Sequence, residues 1–394
     1  MKRYIRKLFC ILSAAVMVGS LTACKDGPKA GDTSIIDVTY IYEDEPTDNT
    51  SSQPDDTVSD ISSIDNSYVG TDNVQYPNTS YDSSNNNYVS VDSPSSSNQQ
   101  TSSYDDESEK KKMYVDWNQG GKLLQVVQRY SSSKDFVMVM RPTGGNKIFN
   151  IAPPKIIKDS NAGISKNIAA AEDMARYMSD SDWIGPHYVN GNWAGGTHYN
   201  NASTGYTDEI TVKIDGKTVK ENTTLYADKL EVSWKNYIYS PGTQRAVIAE
   251  QPTLTFDGTV WNVKVDIEFI EDVTWQWYYG MQCVYGPWNG TVSYNGGTPI
   301  DITDSNAQTK ADSKMCDTML LRKGNDCLEM RLDRSYGIGD GRYLKDTDEG
   351  ARTQSWGVAV NGKAYFMLVP PNSNYKIKAG EKVGWRGQYR FYYE

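Results

Sequence analysis

Three dipeptides constrain the folded part of this chain more than any other feature: Asp215-Gly216, Asp257-Gly258 and Asn361-Gly362. Each lies between two runs that read as strands. Asn or Asp followed by Gly tolerates the positive φ values of a tight hairpin turn, so each marks a chain reversal with a mechanism. Ile210-Thr211-Val212-Lys213-Ile214 alternates apolar and polar, the period of a half-buried strand, and returns through Thr218-Val219. Leu254-Thr255-Phe256 returns as Val260 to Ile267, and Trp356 to Val360 returns as Ala364 to Val369. Leu123 to Tyr130 and Asp135 to Met140 supply further strands. One short helix is expected over Ser165 to Met178, where Ser165 can cap and Ile168, Ala171, Met174, Ala175 and Met178 share a face. Strands in hairpin order with one short helix predict a mostly β chain, a large antiparallel β-sandwich rather than a parallel α/β fold. Residues 113–300 read as the main sandwich domain. Residues 301–394 read as a C-terminal β subdomain, joined through the polar stretch 301–315, or as a continuation of the sandwich.

The net charge of −10 is unevenly spread. Residues 25–112 hold 18 acidic and 5 basic residues, so the remainder of the chain beyond them is nearly neutral. A neutral sandwich lacks the basic face that meets phosphates, which argues against a nucleic-acid partner. Runs such as Ser83-Ser84-Asn85-Asn86-Asn87 cannot bury enough surface to offset their ordering entropy. Residues 24–112 are therefore expected to be a disordered, acidic Ser/Asn/Asp-rich stalk, with an r.m.s. span on the order of 50 Å as a flexible coil.

The N-terminus combines Lys2, Arg3, Arg6 and Lys7 with an apolar run from Leu8 to Met17, then Leu21-Thr22-Ala23-Cys24. That run is shorter than the roughly 20 residues a membrane helix needs, and the layout is that of a secretory signal peptide. The Leu-x-Ala-Cys end resembles the lipobox of bacterial lipoproteins. The resemblance implies that residues 1–23 are a signal peptide, that Cys24 is lipidated after cleavage, and that the protein is held on the extracellular face of the cell membrane. Cys283, Cys316 and Cys327 then remain in the folded part. Three cysteines allow at most one internal disulfide, and Cys316 with Cys327 could bridge a hairpin. Three buried, reduced thiols are the preferred reading, and no spacing fits a zinc site.

All ten tryptophans fall in residues 113–394, and tyrosine outnumbers phenylalanine 28 to 7. Rings with polar tips suit half-wet surfaces and stack on flat apolar faces such as those of sugars. In Trp275-Gln276-Trp277-Tyr278-Tyr279, strand alternation places Trp275, Trp277 and Tyr279 on one face, as a binding platform or as half a core. Trp288 lies in a second dense run, Tyr285 to Asn289. The only two histidines, His187 and His198, share a glycine-rich stretch with Tyr188, Trp193, Tyr199 and Asn200. His187, Tyr188, Trp193, Trp275, Trp277, Tyr279 and Trp288 are the candidate ligand-binding residues. By residue type, His198 as base, Tyr199 or Tyr188 as acid and Asn200 as stabiliser could serve a polysaccharide β-elimination. Two structural histidines in a polar loop are the plainer account. Asp266, Glu268, Glu271 and Asp272 could supply the carboxylates of a glycosidase, but read better as a solvated sheet face. Asp340, Asp346, Asp348 and Glu349 could gather calcium ligands, though they match a calcium loop poorly; no other cofactor is indicated.

Asp182-Trp183, Gly195 to Asn200, Glu271-Asp272 and Tyr278-Tyr279-Gly280-Met281-Gln282 resemble uncharacterised secreted and phage-associated β-rich proteins of Gram-positive bacteria. The resemblance implies that the histidine loop and the Tyr-Tyr-Gly-Met-Gln strand belong to one site or one structural unit. The expectation from sequence is a surface lipoprotein whose sandwich binds glycan. The alternatives are a polysaccharide-cleaving enzyme, a lyase rather than a hydrolase, and a structural or protein-binding module.

Overall fold

A computed structural model describes residues 111–394 apart from 159–162, 176–179, 181–182, 346, 348 and 357. The signal peptide, Cys24 and the stalk up to residue 110 lie outside the described residues.

The backbone is organised by one ten-stranded antiparallel sheet. Its order is Ile300–Asp301, Thr291–Tyr294, Thr318–Lys323, Asp326–Leu332, Lys382–Tyr393, Trp261–Phe269, Ala246–Phe256, Leu230–Tyr239, Gly205–Ile214, Lys217–Val219. Alternation sets its two faces. Trp261, Val263, Val265, Ile267 and Phe269 point inward and are buried, while Asn262, Lys264, Asp266 and Glu268 point out. Asp266 and Glu268 meet Lys264 and Lys382 there, as a solvated face should.

Three smaller sheets cover the inward face. The largest runs Thr223–Ala227, Met113–Asn118, Leu123–Arg129, Lys134–Thr143, Ile148–Lys158, Glu172–Asp173. It is joined to the ten-stranded sheet by Phe136 stacked 4.3 Å from Phe391 and by Trp261 Nε1 donating to Gln128 at 2.8 Å. The others are Tyr375–Ile377, Val273–Tyr278, His187–Val189, Asn192–Ala194 and Gln282–Val284, Val358–Phe366, Ala351–Trp356, Gln308–Lys310. Trp183, Trp234, Trp261, Trp275, Trp288 and Trp385 are fully buried, each contributing about 1.5–3 kcal/mol or more through apolar burial. Much of the tryptophan content is therefore core. Residues 301–394 continue the sandwich, because the C-terminal strand Lys382–Tyr393 lies between Trp261–Phe269 and Asp326–Leu332.

Three local expectations are corrected. No α-helix forms over the described part of Ser165–Met178; Ile168–Ala170 is a 3-10 turn and Glu172–Asp173 an edge strand on Lys155 and Ile156. Ile168 and Ala171 pack on a small satellite core while Met174 packs on the main one, and a single helical stripe cannot reach both. The hairpin assigned to Asn361-Gly362 does not turn there: Trp356 pairs with Val358, and the strand Val358–Phe366 runs through Gly362. Gly362 is required for packing, since a Cβ there would collide with the Tyr285 ring. Finally, Trp275 and Trp277 do not share a face. A bulge at Gln276 shifts the register, so Trp275 turns into the main core with Tyr278 while the part-buried Trp277 packs on the other side, against buried Tyr279.

The other reversals stand. Asp215 and Gly216 both take positive φ, 47° and 78°, in a two-residue turn between Ile214 and Lys217. Asp257-Gly258 turns Phe256 back to its partner Trp261. Cys283, Cys316 and Cys327 are free and buried. Burial pushes all three thiols up, that of Cys316 to about 11.

Candidate aromatic site at the histidine hairpin

The glycine-rich stretch is a hairpin. His187–Val189 pairs with Asn192–Ala194 around Asn190-Gly191, whose φ values are 52° and 92°. Asn190 Oδ1 accepts from Thr274 N at 2.9 Å, and Gln276 Oε1, from the bulge, accepts from Gly191 N at 2.6 Å. The bulge that inverts the tryptophans therefore also holds the hairpin tip. Ile184 bridges Met281, Gln282 N donates to Trp183 O at 3.1 Å and Tyr278 pairs with His187. The histidine stretch and residues 278–282 are thus in contact, but Tyr278 to Gln282 is no single strand: Tyr278 ends Val273–Tyr278, Gln282 begins Gln282–Val284 in another sheet, and Gly280 between them takes a φ of 76°.

His187 faces inward. It is fully buried, stacked 4.2 Å from the Tyr278 ring at 5°, with Nε2 2.8 Å from Glu250 Oε1. Asn236 Nδ2 reaches Glu250 Oε2 at 3.4 Å, and Trp385 Nε1 donates to Tyr278 Oη at 2.9 Å. Trp275 and Trp288 are equally enclosed, Trp288 against Trp183 and Phe391. These three of the sequence candidates present nothing to a ligand at the surface, and Tyr279, buried at 8% exposure, presents little more.

The outward side gathers the rest. Trp193 is half-buried, stacked on His198 (5.2 Å) and Tyr279 (5.5 Å), with Trp277 at 5.2 Å and the Tyr188 ring edge-on at 5.3 Å. Tyr279 sits 4.0 Å from buried Tyr365, and Arg352 lies over that ring while donating to its hydroxyl. Arg352 also donates to Gln354 at 3.2 Å and lies 3.6 Å from Glu349. Tyr188, Trp193, Trp277 and His198 keep part of their surface in solvent, and Tyr199 is 54% exposed. The result is a contiguous aromatic patch drawn from the hairpin, the Val273–Tyr278 strand and its extension, and bordered by Arg352 and Lys363.

The loop from Gly195 to Thr204 is fixed by a residue that sequence reasoning missed. Buried Asn146 donates through Nδ2 to His198 O (2.6 Å), Gly196 O (3.1 Å) and Thr204 Oγ1 (2.9 Å), and its Oδ1 accepts from Thr204 N (2.8 Å). Gly144 and Gly145 lie directly under Thr197 and Tyr199, where no Cβ would fit.

Burial, with Lys363 adding to it, pushes the His198 imidazole down to about 3. Such a weak base is poorly matched to abstracting a proton near neutral pH. Asn200 is exposed, with its backbone N bonded to Ala202 O, and Tyr199 lies over Gly145 rather than beside the His198–Trp193 stack. His198, Tyr199 and Asn200 are adjacent in sequence without converging on one point. Of the carboxylates, Glu271 pairs with Arg245, Asp272 with Lys378 and Asp340 with Arg342; Asp346 and Asp348 lie outside the described residues.

No protein-family model and no curated relative matches the chain. Among solved structures it is similar to a galactose 1-epimerase from Lactobacillus acidophilus NCFM, at 7% identity and a TM-score of 0.34, covering 71% of this chain and 98% of that one. It is also similar to a 4-alpha-glucanotransferase from Thermococcus litoralis, at 7% identity and a TM-score of 0.26. That match covers 68% of this chain and spans 37% of the other protein. Neither likeness bears on what this chain binds.

Proposed function

We propose that this chain is a lipid-anchored bacterial surface protein whose β-sandwich binds glycan chains through the patch of Tyr188, Trp193, Trp277 and His198. The observation that supports it is the meeting of these part-buried rings at one surface. Rings that are part wet and part packed suit the apolar faces of sugars, and contiguous exposed aromatic area marks interaction sites. Arg352 and Lys363 place positive charge at the border. The anchor rests on Leu21 to Cys24: Cys24→Ala is expected to release the protein into the medium, and continued membrane fractionation would overturn that part.

Binding is tested by affinity electrophoresis of the purified chain in gels containing xylan, glucomannan, pectin or hyaluronan. At least one polymer should retard it, and Trp277→Ala should abolish the retardation while near-UV circular dichroism shows an intact fold. No retardation by any polymer, or retardation that Trp277→Ala leaves unchanged, overturns the patch.

A further inference from the structure

The opposite side of the ten-stranded sheet carries a second concave surface. On its floor, two cross-strand rows of polar side chains run side by side. Thr253 pairs with Lys264 and Lys264 with Arg386; Thr255 pairs with Asn262, Asn262 with Gln388, and Gln388 with Arg331. A flat sheet face of this kind would ordinarily be plain solvated surface. Here the chain after Leu332 raises a wall over it. Asp333 N bonds to Arg386 O at 2.9 Å, and Gly337, with φ of 55°, rests directly on the Gly384 backbone, where a Cβ would collide with the carbonyl. This glycine-on-glycine contact brings the Tyr336 ring over the floor, 4.7 Å from Arg386 Cζ and 5.9 Å from Lys264 Nζ. Floor and wall border an open groove of about 770 Å³.

We propose that this groove is an oligosaccharide-binding site for a neutral glycan, separate from the aromatic patch. The charge arrangement selects the ligand class. Lys264 is held by Asp266 at 2.7 Å, Arg386 by Asp333 at 2.6 Å and Arg331 by Glu329 at 3.3 Å. Arg334 is used internally, donating to the carbonyls of Cys316 and Gly339. With its cations matched, the groove offers an anion little excess attraction. What it offers is closely spaced donors and acceptors, centred on the Asn262–Gln388 amide pair (2.9 Å). Vicinal sugar hydroxyls both donate and accept, and so match the amide nitrogen and oxygen that this pair leaves over.

The test is isothermal titration of the purified chain with cellohexaose, maltohexaose and mannohexaose, with pentagalacturonate as the anionic probe. At least one neutral hexaose should bind. Asn262→Ala with Gln388→Ala should weaken it by roughly tenfold or more with the melting temperature unchanged, while Trp277→Ala leaves the binding as it was. Asn262 and Gln388 lie on the outward face, clear of the core. Absence of binding by all three hexaoses overturns the proposal, as does binding insensitive to the groove substitutions. Loss with Trp277→Ala alone moves the ligand to the aromatic patch and overturns the groove. Preference for pentagalacturonate overturns the assigned ligand class.

Discussion

His187 Nε2 lies 2.8 Å from Glu250 Oε1, with both side chains closed to solvent. The pair spans two layers, since Glu250 belongs to the ten-stranded sheet and His187 to the hairpin beneath the aromatic patch. Removing either partner leaves the other buried polar group short of a hydrogen bond, at a cost of about 1–3 kcal/mol. Glu250→Leu and His187→Phe should each destabilise by that amount in urea unfolding. The double substitution should cost clearly less than the sum of the two. Additive losses would show that the pair does not couple the layers.

Asn146 makes one side chain serve five partners in the Gly195–Thr204 loop, counting Ser203 Oγ at 3.3 Å. Asn146→Ala strands buried carbonyls, each unmet group costing about 1–3 kcal/mol. The expected outcome is global destabilisation of that order. Faster amide exchange should be confined first to residues 195–204. Uniform loss of protection across the sheets instead would remove Asn146 as a local clamp.

The fold was legible where local chemistry decides it. Period-2 alternation around Val212 and Val263, and the Asp-Gly turns, placed strands and reversals in a sandwich. The Asn190-Gly191 turn carried the same signal, but the surrounding glycines made the segment read as a loop. What was not legible depends on partners distant in sequence. The bulge at Gln276 exists because its side chain holds Gly191, 85 residues away, and one extra residue inverts which tryptophan faces outward. The Ser165–Met178 pattern has helical spacing, yet two separate cores claim its apolar residues. Asn146 looks like any loop asparagine until the chain 50 residues on folds over it. The groove carries no signal in the sequence, because its wall after Leu332, not its polar floor, makes it concave.

Gly362 tests whether a turn-like dipeptide inside a strand is there for packing. The Tyr285 ring occupies the space a Cβ would need, and Tyr285 N bonds to Gly362 O at 3.0 Å. Gly362→Ala overpacks this site, at a cost of about 1–3 kcal/mol. In a Tyr285→Leu background the same substitution should cost markedly less, as read by thermal unfolding. Equal costs in both backgrounds would place the strain elsewhere.

His198 gives the chain a pH dependence of definite sign. Its imidazole is held down to about 3 in the folded state, mainly by burial and secondarily by Lys363, against an ordinary 6.5 when unfolded. Between those values the unfolded chain binds the extra proton, so this residue's contribution is fully present above about pH 6.5 and is lost as pH falls toward 3. His198→Phe keeps a ring against Trp193 but cannot take up the proton. The melting temperature of the parent chain should therefore fall more steeply between pH 6.5 and 4 than that of His198→Phe, with the two curves parallel above pH 7. Parallel curves throughout would mean that the stacked imidazole is as easily protonated folded as unfolded.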